Sequence, residues 1–122
     1  MRISVVLDCS DPERLVPFWQ LALGYELANS LDGYRVLVPA AGEPAGPALV
    51  LQPVPELRQG KNRAHIDLHP ADPEAHIAAL QAAGGQPRGE RVAEFGIWWQ
   101  TMADPEGNEF CVVADAVAPG VA

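Results

Sequence analysis

Asp11-Pro12-Glu13 is answered 61 residues later by Asp72-Pro73-Glu74, and the same shift lays Gly24 on Gly85. Upstream of each triplet stands an apolar, alternating run, Ile3 to Asp8 and then Ala64 to His69. Downstream runs an Ala/Leu-rich segment that closes on glycine. Asp can cap a helix N-terminus, Pro suits the first helical position because its missing N–H has no partner there, and Glu complements the helix dipole. A unit of strand, helix and further strands written twice predicts two similar modules sharing a core. The expected class is α+β, with βαβββ modules at about 1–56 and about 62–115 of a single domain. The ligand site is expected in the cleft between them. The shift also sets Ser4 over His65.

The bulk numbers narrow the function. A chain of 122 residues, 48% apolar and 20% charged, is one ordinary globular domain. Its apolar runs fall far short of the ~20 residues that span a bilayer, so no membrane role is expected. The N-terminal stretch lacks the apolar core of a secretory signal, which predicts a cytoplasmic protein. Net charge is −8, with one lysine, Lys61, and seven scattered arginines. Phosphate binding needs a basic footprint, so nucleic acid is not an expected partner. Cys9 and Cys111 are expected to be reduced, small apolar fillers.

Local chemistry places the elements. Ile3 to Asp8 reads as a strand, and Leu15, Phe18, Trp19, Leu21 and Ala22 recur at helical spacing up to Gly24. Tyr25 to Asn29 and Tyr34 to Val38 flank Ser30-Leu31-Asp32-Gly33 as a hairpin, and Ala48 to Gln52 is a further strand. In the second half His65 to His69 is the strand, and a helix capped by Asp72 runs to Gly84-Gly85. Gln86 to Ala93 is a weak strand region and Phe95 to Met102 a strong aromatic one. Asp104 to Asn108 reads as a turn rather than a calcium loop, whose ligand spacing it lacks. Glu109 to Ala114 closes the fold, and residues 116–122 are expected to fray.

Three stretches carry a family resemblance. They are Leu7-Asp8-Cys9-Ser10-Asp11 running into Phe18-Trp19 and Leu23-Gly24-Tyr25; Asn62-Arg63-Ala64-His65-Ile66-Asp67-Leu68; and Ala103-Asp104-Pro105-Glu106-Gly107-Asn108-Glu109-Phe110-Cys111. In these the chain resembles the vicinal oxygen chelate superfamily, which includes glyoxalases, bleomycin-resistance proteins and extradiol dioxygenases, and within it the glyoxalase-like branch. The resemblance implies two βαβββ modules curling a mixed sheet into a cup, commonly in a homodimer. It also implies a divalent metal held by one residue from each of four strands. Those positions fall here on Ser4, near Gln52, on His65 and on Cys111. A hydroxyl, an amide, an imidazole and a thiol make one strong ligand and three doubtful ones, so a cup with no metal cofactor is expected. An atypical site of His65 and His69 with Cys111 or Asp8 is the alternative.

The remaining candidates are weighed by alternation. His65, Asp67 and His69 share one strand face, with His65 as ligand or general base and Asp67 as its orienting partner. His69, next to Pro70, is expected to be partly exposed and without a role, and His76 to lie on the surface. Trp98 and Trp99 point to opposite faces, so one of them lines the cup; Glu109 follows the face of Cys111. Phe18 and Trp19 are core, and Arg35 and Arg63 solvated. Ser4, Gln52, His65, Trp98, Trp99, Glu109 and Cys111 are thus the expected ligand-binding set, and His65 with Asp67 the catalytic pair. The expected function is metal-independent binding of an aromatic or amphipathic small molecule, of the resistance or sequestration kind. The alternative is a lyase, isomerase or dioxygenase-like enzyme using His65, with or without a metal.

Overall fold

Both Asp-Pro-Glu triplets start helices, and they do so with the same backbone. Asp11 caps helix α1 (Pro12–Leu23) at φ −136°, ψ 88°, and Asp72 caps α2 (Pro73–Ala82) at φ −125°, ψ 89°. Asp72 Oδ1 accepts from the Ala75 N–H at 3.1 Å. Gly24 ends α1 in the left-handed region at φ 69°, its N–H donating to the Gln20 carbonyl. The computed structural model describes residues 1–115, so the tail expected at 116–122 lies outside the described residues.

The chain divides into two compact units, one up to Gly60 and the other from Lys61. In the first, β1 (Ser4–Cys9), β2 (Tyr25–Leu31), β3 (Tyr34–Pro39) and β4 (Ala48–Pro53) form one sheet in the order β1-β4-β3-β2. β1 and β4 run parallel and the other pairs antiparallel. The hairpin turns on Asp32 (φ 48°) and Gly33 (φ 86°), two positive-φ residues whose twist matches that of the strands. Leu37, Leu49 and Leu51 are sealed with Leu15, Phe18 and Trp19 of α1, whose two rings meet edge to face. Arg35, expected to be solvated, is paired with Glu13 of α1 at 2.6 Å.

The second unit repeats the order with a worn sheet. β5 (Asp67–Leu68), β9 (Glu109–Ala114), β8 (Ile97–Ala103) and β6 (Gln86–Pro87) lie side by side, and β7 (Val92–Glu94) also pairs with β8. The strand expected over His65 to His69 is thus reduced to two residues, extended by the Cys111 N–H donating to the Ile66 carbonyl. The weak region at 86–93 is an edge strand broken around Gly89 (φ 69°). Gln100, 7% exposed, fills the break: its side-chain amide donates to the carbonyls of Gly89 at 3.2 Å and Thr101 at 3.0 Å. β8 starts two residues later than expected because Phe95 (φ 56°) and Gly96 (φ 76°) form its turn.

Asp104 organises the β8–β9 connection. Its Oδ1 accepts from the Glu106 and Asn108 N–H groups, both at 2.9 Å, and its Oδ2 accepts from the Asn108 amide at 3.0 Å. Among the described residues no helix is long and apolar enough to cross a membrane.

Candidate functional site

Pairing register decides which side chains meet. Asp67 stands beside Cys111, and Cys111 beside Thr101, so one rung across β5, β9 and β8 carries a carboxylate, a thiol and a hydroxyl. His65, two residues before Asp67, lies on the same face. Its Nδ1 is 2.9 Å from Asp67 Oδ1. An ionised carboxylate can only accept, so Nδ1 is the donor in this contact, and the neutral tautomer that fits it carries its lone pair on Nε2. One donor atom from each of His65, Asp67 and Cys111 lies within 4.8 Å of the others.

This rung lines a cavity of about 570 Å³ within the second unit. Alternation sets the rest of its wall. Ile97, Trp99 and Thr101 of β8 and Glu109, Cys111 and Val113 of β9 border it, together with the cationic Lys61 and Arg88. Of the two adjacent tryptophans Trp99 lines the cavity, while Trp98 lies under the Arg91 guanidinium, 3.6 Å from its ring centroid. Arg91 in turn pairs with Glu74 of α2 at 2.6 Å. Burial raises the Cys111 thiol above its usual range, and the Asp67 and Glu109 carboxylates push the same way. The Thr101 hydroxyl, 3.6 Å from the sulfur, and Lys61 pull against them.

Ser4 and Gln52 lie in the first unit, and neither borders this cavity. Ser4 pairs with Ala48 and Gln52 with Asp8, which separates their rungs by about 13 Å along the strands. Asp8 is exposed in the same unit. The first-unit counterparts of Asp67 and Cys111 by register are Val6 and Val50, with Val36 beside them where Thr101 stands. The four-strand metal cage that the fold implies therefore does not fit these residues. Two of its positions cannot share an ion, and their rung equivalents carry no donor. Within the second unit His65 and Asp67 are in direct contact, and one donor atom of each, with the Cys111 sulfur, lies close enough for the three to converge on one point.

Sequence reasoning missed part of the wall. His69 borders the cavity, its Nδ1 2.8 Å from Asp115 Oδ1, although its place before Pro70 suggested no role. Ile97 and Thr101 were legible from alternation with Trp99. Lys61 and Arg88 carried no signal, since one lies in a polar connection and the other in the broken edge strand. Arg63 is exposed and His76 half-buried, and neither borders the cavity.

A sequence family described as a glyoxalase-like domain matches residues 4–113. No curated protein gives a match. Solved structures share the fold. The genomically encoded fosfomycin resistance protein of Listeria monocytogenes is 18% identical, with a TM-score of 0.74 over 93% of this chain and 92% of that one. A glyoxalase/bleomycin resistance protein/dioxygenase family enzyme of Burkholderia phytofirmans is 16% identical, with a TM-score of 0.72 over 91% and 95%. A member of the same superfamily from Sphaerobacter thermophilus is 22% identical, with a TM-score of 0.71 over 94% and 97%.

Proposed function

The chain belongs to the glyoxalase-like domain family, and on that premise we propose that its second unit binds an amphipathic small molecule without a metal cofactor. The observation that carries this reading is the 570 Å³ cavity, a volume within the range of small-molecule sites. Its wall offers Trp99, Ile97 and Val113 to an apolar or aromatic group, and Lys61, Arg88 and His65 to a polar head. An anionic head suits the two cations, even though the chain as a whole is acidic. One structural neighbour is a fosfomycin resistance protein, and fosfomycin has such a head, so resistance by sequestration belongs to the proposal.

Binding is testable by titrating the protein with fosfomycin and with naphthalene sulfonate, followed by tryptophan fluorescence and calorimetry. For naphthalene sulfonate, Trp99→Ala is expected to weaken binding about tenfold and Trp98→Ala to leave it nearly unchanged, since only one ring can stack on the ligand. Equal losses, or no saturable binding of either compound, would overturn the reading.

The second reading is an enzyme, and the 2.9 Å contact between His65 and Asp67 favours it. An imidazole held by one nitrogen presents the other as a general base. Acceleration of substrate deprotonation that disappears in His65→Gln would establish it. A homodimer and a cytoplasmic location complete the proposal, the latter supported by two free cysteines.

A further inference from the structure

We propose that Cys111, His65 and Asp67 act as nucleophile, general base and positioning group, and that the cavity captures α,β-unsaturated carbonyl compounds as thioethers of Cys111. The proposal rests on the small-molecule reading of the same cavity and names the chemical class it takes.

The three groups have the arrangement that thiol chemistry needs. Cys111 is only 7% exposed, yet its rung faces the cavity. One donor atom of each of the three groups lies within 4.8 Å of the others. Asp67 holds Nδ1, which in the neutral imidazole leaves the basic lone pair on Nε2. Thr101 stands 3.6 Å from the sulfur, with a hydroxyl able to donate to it as charge develops. A thiol kept protonated by burial is a poor nucleophile by itself, so reaction depends on the neighbouring base. The ligand class follows from the wall. Trp99, Ile97 and Val113 accept an apolar tail, while Lys61 and Arg88 supply positive charge for an oxyanion.

The step balances without a co-reactant. His65 takes the Cys111 proton as sulfur bonds to the β-carbon, and the alkene π pair moves onto the carbonyl oxygen as an enolate. His65 then returns the proton to the α-carbon. One S–H bond and one C=C π bond are lost, and one C–S bond and one C–H bond are formed. Nothing is oxidised by an outside reagent, and no group leaves.

N-ethylmaleimide is the probe, with adducts located by intact-mass and peptide mass spectrometry over a range of pH. The expected result is a single adduct on Cys111, formed well before any on Cys9, which is 4% exposed in the first unit. His65→Gln, at a half-exposed position, is expected to slow the reaction about a hundredfold. It should also turn the pH profile into the simple rise of an unassisted thiol. Asp67→Asn should lose rate and shift that profile, with Asp67→Glu restoring both. Labelling of Cys9 first, equal rates for wild type and His65→Gln at every pH, or a stoichiometric metal that shields Cys111 until chelated would overturn the proposal.

The saturated analogue N-ethylsuccinimide, with Cys111→Ser, separates this proposal from the binding reading. Saturable binding of naphthalene sulfonate or N-ethylsuccinimide by Cys111→Ser, without rapid maleimide capture by wild type, would sink the thioether chemistry alone. Absence of both would sink the two together.

Discussion

The two cysteines occupy different physical worlds although both are buried. Cys9 is sealed in the first unit, and its Sγ donates to the Gln52 carbonyl at 3.6 Å. Cys111 opens onto a cavity beside two carboxylates. Because the native thiol holds its proton above the usual value of 9.0, folding is favoured as long as unfolded chains also keep theirs. Above that value the unfolded chain releases a proton that the native state retains, so stability falls as pH climbs through the raised native value. The denaturant midpoint of wild type is therefore expected to drop more steeply above about pH 9 than that of Cys111→Ser. Parallel slopes would show that Cys111 titrates alike in both states. At this scale much of the candidate site was legible from residue type and alternation: His65, Asp67, Trp99, Glu109 and Cys111 all border the cavity. Lys61 was not, because a lone cation in a polar loop looks the same whether it faces solvent or a cavity.

Elements followed their local chemistry where that chemistry was strong. Both helices begin at their Asp-Pro-Glu triplets, because cap, proline and acid all act within one turn. The edge strands of the second unit were harder to place. β5 keeps two residues, and the 86–93 edge splits around a left-handed glycine whose gap is met by a side chain, Gln100. That compensation depends on a residue of the adjacent strand, which no local window contains. The turn before β8 also breaks the local rule. Phe95 holds φ 56° while 89% exposed, so its ring gains little burial to offset the strain. The equivalent hairpin of the first unit uses Asp32-Gly33 instead. Phe95→Asn is expected to stabilise the protein by about 1 kcal/mol. A thermal-unfolding comparison in which the variant melts lower would mean that the ring packs against something that stabilises it.

Across the whole chain, duplication has preserved register and divided chemistry. Val6, Val50 and Val36 form an aliphatic rung where the second unit has Asp67, Cys111 and Thr101. Val6 is 53% exposed, which leaves the end of that rung open to a second copy of the chain. If the proposed homodimer uses it, Val6→Glu shifts the sedimentation of the protein toward monomer while the melting transition of an isolated chain persists. Unchanged sedimentation would place any interface elsewhere. Two copies of βαβββ, their helix starts and the face carrying His65 and Asp67 were determined by sequence alone, because caps, turns and two-residue alternation act over a few bonds. The grouping of side chains 10 to 44 residues apart in the chain was decided only by tertiary structure. Strand pairing brings Asp67 to Cys111 and Cys111 to Thr101, and it keeps Ser4 and Gln52 on separate rungs. Register is a long-range property, set by how whole sheets bury their apolar faces.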